Sequence, residues 1–303
     1  MDMEKRVVAL GFFDGVHLGH QALMKKAREQ AARLGVKPAV ITFDAHPDVF
    51  VHGVEVPLLE SMDGRMELIR RVGGIDEVIV LHFDRQFMQT PWLDFVRSVI
   101  DDIGAVHLVM GRDFSCGWRG QGTAERIADW CRENGIGCDI VDQVELDGIV
   151  VSSTYIRKLV MEGAMEEAAR YLGHPYSIED TVVHGFQRGR RMGIPTINFT
   201  LPEGMIVPRY GVYATRAWLP EGACPSVTNV GVRPTFDGDG HITVETNLLD
   251  YSGELYGAQV RLEFLAFLRD EERFPSQEAL AAQIQRDIDS TRMYFRRQEE
   301  VAQ

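Results

Sequence analysis

From Arg6 to about Val141, short apolar runs alternate with amphipathic stretches, which is the pattern of a parallel sheet whose strands are joined by crossover helices. Val7–Leu10, Ala39–Phe43, Glu77–His82, Val106–Met110 and Cys138–Val141 are the predicted strands. Between the first two, Leu23, Ala27, Ala31 and Leu34 share one face at helical spacing, from a start near Leu18 to a stop at Gly35. Trp92–Ile100 and Ala124–Glu133 read as two further crossover helices, with Pro91 suited to the first turn of the former. Ser152–Gly173 holds two short helical patterns that end at Leu172-Gly173-His174-Pro175, where we place a domain boundary. Beyond it the texture changes to short β-like runs at Gly211–Trp218, Ser226–Val232, Ile242–Leu248 and Gln259–Phe267, separated by Gly and Pro turns. That texture predicts a small barrel. The last element is helical, with Leu280, Ile284, Ile288 and Phe295 in one apolar stripe read as core packing.

The chain of 303 residues has room for two domains, here 1–173 and 176–303. Its 45% hydrophobic and 25% charged residues exclude a disordered or fibrous chain. A formal charge of −13 argues against a protein that coats nucleic-acid backbones, so a nucleotide ligand should be small. No stretch approaches the ~18 apolar residues of a membrane span, and the start lacks a signal-peptide pattern, so a cytoplasmic protein is expected. The four cysteines have neither CxxC nor zinc-ribbon spacing and read as small packing residues.

Candidate chemistry concentrates in two segments. Gly11-Phe12-Phe13-Asp14-Gly15-Val16-His17-Leu18-Gly19-His20 joins the first strand to the first helix, at the end of the sheet where open α/β folds bind ligands. A helix start offers N–H groups to phosphate, Gly19 would let the backbone approach it, and His17 and His20 share one side. On the residues alone, a helix-capping histidine and a zinc pair completed by Asp14 or His46 remain open. Neither the dinucleotide fingerprint nor the P-loop pattern is present. The second segment, His184–Asn198, combines three arginines, glycines and a Pro-Thr step. Arginines neutralise phosphate, and a threonine hydroxyl with an asparagine oxygen suits magnesium. A solvated basic turn is its plainer reading.

The Phe13–His20 run resembles the HxGH signature of nucleotidyltransferases. With Thr42–Pro47, Gly111–Gly117 and Ser152–Arg157, in that order, the first half resembles the adenylyltransferase module of bacterial bifunctional riboflavin kinase/FMN adenylyltransferases. The second half resembles their kinase module through Gly185–Asn198, Gly211–Tyr213, Asn229–Phe236, Val244–Thr246 and Leu255–Gly257. The resemblance implies an HxGH α/β nucleotidyltransferase domain of Rossmann-like type, followed by an antiparallel barrel with a C-terminal helix. It implies that riboflavin is phosphorylated to FMN and FMN adenylylated to FAD, with ATP as co-substrate, magnesium in both steps and no nucleic-acid or membrane partner. Carried over by position, His17, His20 and Arg157 act on the adenylyl transfer, and Gly11, Phe13, Asp14, Gly19, Ser153 and Thr154 meet ATP. Asp113 and Phe114 meet the flavin. In the kinase half Gly185, Arg188, Gly189 and Arg190 meet phosphate, Thr196 and Asn198 hold magnesium, and Glu245 is the base. Ala45 and Cys116 depart from the proline and phenylalanine usual in the family, and Ile194 and Ile197 from its Phe and Ala.

Overall fold

A computed structural model describes residues 4–182, 196–233, 241–253, 255 and 257–302. By its contacts the chain divides into two units, Met1–Leu58 with Met62–Ser153, and Leu59–Ser61 with Thr154–Gln303.

The first unit is built on a parallel sheet of β1 (Arg6–Leu10), β2 (Lys37–Phe43), β3 (Glu77–Leu81), β4 (Ala105–Gly111) and β7 (Gly137–Val141), in the order β3-β2-β1-β4-β7. Two short ribbons accompany it, β5 (Ser115–Cys116) with β6 (Gly122–Thr123) and β8 (Glu145–Leu146) with β9 (Ile149–Val150). The period of two along β1 sends Val7 and Ala9 to one face and Val8 and Leu10 to the other. Both faces are therefore covered. Helix α1 (Leu18–Leu34) packs Leu23, Met24, Ala27 and Ala31 on the Val7 face, joined by Leu68 and Ile69 of α3 (Met62–Arg71). Helices α5 (Trp92–Asp101) and α6 (Ala124–Glu133) pack Phe95, Val96, Val99, Ile127 and Cys131 on the Val8 face.

Gly35 ends α1 in the left-handed region at φ 68, with its N–H on the Ala31 carbonyl, as its position predicted. Helix α3 was not anticipated, nor were the short helices α2 (Pro47–Val51) and α4 (Arg85–Met88). The buried side of α3 contains Gly64 and Arg65 beside Leu68 and Ile69, so apolar residues mark only part of it.

The second unit opens with α7 (Ser153–Glu162) and α8 (Met165–Leu172), whose first residue, Ser153, is grouped by contact with the first unit. The expected boundary at residue 173 follows these helices, whereas the contacts group 154–172 with the second unit because α8 packs on β10 and β15. The sheet has six antiparallel strands in the order β10-β15-β12-β13-β14-β11. They are β10 (Tyr176–Thr181), β11 (Thr196–Phe199), β12 (Gly211–Leu219), β13 (Gly222–Arg233), β14 (His241–Leu248) and β15 (Gln259–Arg269). The sheet curls into a half-barrel. Its edge strands β10 and β11 are not paired, but the Asp180 carboxylate accepts from the Thr200 N–H at 3.0 Å and ties them. Strands β10 and β11 were missing from the sequence reading, and helix α9 (Gln277–Ala302) closes the chain.

Inside the curl the core is partly polar. Thr215, Ser226, Thr228 and Thr246 are fully buried, and their hydroxyls link across β12, β13 and β14 at 2.7 to 2.9 Å. Thr215 also donates to the Ser226 carbonyl at 3.0 Å, so the four O–H donors can all be satisfied. A half-satisfied buried network is costly, so Thr228→Val, which keeps the shape, should lower stability by about 1–3 kcal/mol. Hydrogen exchange of the β12–β14 amides would show it, and unchanged protection would mean the chain of hydroxyls contributes nothing.

Candidate functional site

In the first unit the chain leaves β1 at the point where the strand order reverses, with β2 on one side and β4 on the other. Such a switch point leaves a crevice at the carboxyl ends of the strands. The turn from Gly11 to His17 enters it under strain. Phe13 and Val16 have φ of 62 and 39, both in the left-handed region, and Gly15 lies between them at φ 81. A β-branched residue there is unfavourable and persists only when its surroundings impose it. Phe13 and Val16 are fully buried and Asp14 nearly so, which supplies that constraint. At Gly11 and Gly19 the missing side chain also makes room for neighbouring rings. A Cβ on Gly11 would sit 3.0 Å from the Phe13 ring, and one on Gly19 would sit 3.1 Å from the His17 ring.

His17 caps α1, its Nδ1 accepting from the His20 N–H at 3.3 Å. The capping reading and the ligand reading are therefore compatible. With Nδ1 engaged as acceptor, the neutral ring carries its proton on Nε2, where it can donate to a ligand. The His17 and His20 rings stack at 3.6 Å and 15°, and Phe13 meets His20 edge-on at 5.1 Å. Burial holds the His20 imidazole well below its ordinary range, reinforced by His17 and by Arg65. His20 is thus a neutral imidazole before ligand arrives, with its Nδ1 buried and without a hydrogen-bond partner. Among the described residues no group of three or more His, Cys, Asp or Glu side chains is arranged to hold a metal, so the zinc reading finds no support there.

Ser153 begins α7 and donates from Oγ to the Asp14 carbonyl at 2.9 Å, which brings it to the HxGH turn. Thr154 and Arg157 follow on α7, grouped by contact with the second unit, and Arg157 is buried. Asp113 is exposed just beyond β4, its carboxylate 2.8 Å from where a Gly111 Cβ would lie. Phe114 and Cys116 pack with Trp92 against the core. The Trp92 side chain and the Cys116 sulfur lie within 3.0 Å of one point beside Gly122, so indole fills space next to the thiol. Burial pushes that thiol up to about 12, and all four cysteines are free.

Arg65 escaped the sequence reading altogether. It is fully buried, and its Nη1 donates to the Phe12 carbonyl at 3.2 Å, the Phe43 carbonyl at 3.0 Å and Thr42 Oγ1 at 3.3 Å. Its guanidinium also lies 3.9 Å from the Phe12 ring centre. No periodicity or motif marked it.

In the second unit the site lies on the outer face of the half-barrel. Antiparallel register sets Asn198 of β11 opposite Glu245 of β14, and Glu245 opposite Asn229 of β13. Directly opposed residues share a face, so the three form a row, with Thr196 and Asn247 as the neighbouring pair. The face opens into a cavity of about 510 Å³, lined by Thr196, Asn229, Glu245 and Asn247 and walled by Phe274, Leu280 and Ile284. Part of the apolar stripe of α9 therefore lines a cavity instead of packing in the core, whereas Ile288 does pack against Val212, Val227 and Leu249. Arg269 and Asp287 meet at the cavity in a two-pronged ion pair of 2.9 and 2.8 Å that ties β15 to α9. Gly185, Arg188, Gly189 and Arg190 lie outside the described residues.

Near the first crevice, His82 follows β3 and its Nδ1 sits 2.6 Å from Asp44 Oδ2. That bond raises the His82 imidazole above its ordinary 6.5. For Asp44, burial works upward, but the His82 bond and the Phe83 N–H outweigh it and bring the carboxyl below 3.8. The histidine's part in the pair's stabilisation is full below pH 6.5 and fades as pH rises through the raised value. The aspartate's part is full above 3.8 and fades as pH falls through the lowered value. An NMR titration should find His82 above 6.5, and Asp44→Asn should return it to about 6.5.

Comparison with known proteins agrees with this division. Residues 1–155 match the FAD synthetase family model and residues 172–295 the riboflavin kinase model. A bifunctional riboflavin kinase/FMN adenylyltransferase of Listeria monocytogenes is 35% identical, over 97% of this chain and 94% of its own. One of Pseudomonas fluorescens is 36% identical, over 94% and 92%. A solved structure from Streptococcus pneumoniae, described as a macrolide-efflux protein, superposes with a TM-score of 0.84 at 31% identity, over 95% of this chain and 94% of its own. Among the described residues no helix is long and apolar enough to cross a membrane, and the family models and these relatives agree on flavin chemistry. The chain is a member of the bifunctional riboflavin kinase/FMN adenylyltransferase family.

Proposed function

We propose that the cavity over Glu245 phosphorylates riboflavin and that the crevice at His17 and His20 adenylylates the FMN so formed. The observation that carries the reading is the row Asn198, Glu245 and Asn229, of which Glu245 and Asn229, with the neighbouring Thr196, line a cavity large enough to receive a flavin. Glu245 takes the proton of the riboflavin 5′-hydroxyl as that oxygen attacks the γ-phosphorus of ATP, and ADP leaves. Thr196 and Asn198 present a hydroxyl and a carboxamide oxygen beside Glu245, a donor set that fits a hard divalent cation. They would hold magnesium, which when bound neutralises phosphate charge. Phosphoryl transfer needs positioning and charge neutralisation above all, so one carboxylate suffices as base.

In the second step a phosphate oxygen of FMN attacks the α-phosphorus of another ATP, and pyrophosphate leaves. His17 donates from Nε2 and His20 from its ring N–H to the phosphate oxygens, with the start of α1 behind them. A neutral His20 binds as a hydrogen-bond donor, and approaching triphosphate favours its protonation as charge develops. Ser153 stands at the phosphate end, and Asp113 and Phe114 at the flavin end. A cytoplasmic enzyme that uses small soluble substrates is in keeping with the acidic charge of −13.

Incubation of the purified protein with riboflavin, ATP and magnesium, with chromatographic separation of riboflavin, FMN and FAD, tests the whole reading. Glu245→Gln should slow phosphorylation about 100- to 10,000-fold yet convert supplied FMN to FAD at the parental rate. His20→Ala should do the reverse, slowing FAD formation about 100- to 1,000-fold while FMN accumulates. A protein that binds flavin without turnover would make neither product, and loss of both reactions in one variant would mean the sites are not independent.

A further inference from the structure

We infer that Arg65 is a positioning residue for adenylyl transfer, its planar guanidinium holding the strained Phe12–Phe13 turn against the ends of β1 and β2. The inference rests on the reading of the His17 and His20 crevice as the adenylyltransferase centre. Three observations converge on it. First, Arg65 reaches the two chain segments that leave neighbouring strands, bonding the Phe12 carbonyl after β1 and the Phe43 carbonyl at the end of β2. Thr42 Oγ1, which itself donates to the Phe12 carbonyl at 2.8 Å, completes the link. Second, the bonded peptide immediately precedes Phe13, whose left-handed conformation sets the direction in which the chain enters Asp14 to His17. Third, the side chain is fully buried, although a charged group inside a protein is ordinarily expensive and is kept only where its bonds repay the burial.

The guanidinium also stacks on the Phe12 ring, whose edge contact with His46 at 4.6 Å extends the same support to the Thr42–Pro47 motif. Lysine would replace this arrangement only in part, because an ammonium could match the bonds that Nη1 alone makes to the two carbonyls but has no planar face to stack on Phe12. Arg65 further contributes to keeping the buried His20 imidazole neutral before substrate binds. It touches no reacting atom. Its effect passes through the backbone that sets His17 and His20.

The test compares Arg65→Met and Arg65→Lys with the parent and with His20→Ala, all as the full-length chain, in steady-state conversion of FMN and ATP to FAD. Misplacement of a catalytic constellation by about 1 Å can cost on the order of 100-fold in rate, so Arg65→Met should lower kcat by about that factor. KM for ATP should change little, because a contact that matters only in the transition state lowers kcat and kcat/KM together. Arg65→Lys should fall between Arg65→Met and the parent. Riboflavin phosphorylation by the same preparations reports that the chain has folded. A folded variant of either kind with parental kcat overturns the inference, as does a change confined to KM. If Arg65→Met does not fold, Arg65→Lys decides the matter by the same criterion. If His20→Ala also makes FAD at the parental rate, the reading of the crevice fails, which is a different result from failure of Arg65 alone.

Discussion

Parallel strands cannot be joined by hairpins, and the order β3-β2-β1-β4-β7 places β1 where the strand order reverses, with β2 on one side and β4 on the other. Much of the first unit's chemistry depends on that constraint. With α1 and α3 covering one face and α5 and α6 the other, the turn after β1 lines the crevice at the carboxyl end of the sheet. The same geometry brings Asp113, just beyond the neighbouring strand β4, to the same end of the sheet. A chain segment in that place has few neighbours of its own secondary structure, so its conformation must be imposed by side chains from elsewhere. Phe13 and Val16 in left-handed conformations, two glycines that make room for the Phe13 and His17 rings, and a buried arginine are how this chain imposes it.

The second unit meets a different constraint. A curled antiparallel sheet has an inside and an outside, and the period of two assigns alternate residues to each. On β14, Val244 and Thr246 are buried within while Glu245 faces the outer cavity. One slip of register would exchange them. The chain of buried hydroxyls from Thr246 to Ser226 guards against the slip, because bonds between particular oxygens are lost when strands shift, whereas apolar contacts would tolerate more. Structure inside the curl and chemistry outside it are thus coupled through the backbone of β13 and β14.

The two centres differ in how they handle charge. Around His20 the protein keeps a neutral ring beside the permanent charge of Arg65. Around Glu245 a carboxylate stands with the neutral side chains of Asn198, Asn229 and Thr196, Glu271 and Glu272 line the same cavity, and the Arg269–Asp287 pair at its wall satisfies itself. The first arrangement suits stabilising an anion, and the second suits removing a proton from a neutral alcohol.

The sequence by itself determined the class of each half, the start and stop of α1, most strand positions and the motifs that name the family. These are local features: a period of two or 3.6, a glycine at a left-handed cap, or a run of residues adjacent in the chain. It missed β10 and β11, whose strand character is supplied by the partners they pair with, and α3, whose buried side mixes Gly64 and Arg65 with Leu68 and Ile69. Tertiary structure alone decided that Gly11 and Gly19 accommodate aromatic rings, that His17 caps α1 while leaving Nε2 to donate, and that Leu280 and Ile284 wall a cavity. It alone brought Arg65 to the carbonyls of Phe12 and Phe43, 53 and 22 residues away along the chain. The physical reason is common to all of these. A side chain's partner across the fold leaves no periodic mark in the sequence, so its role becomes visible only once packing has set the distances.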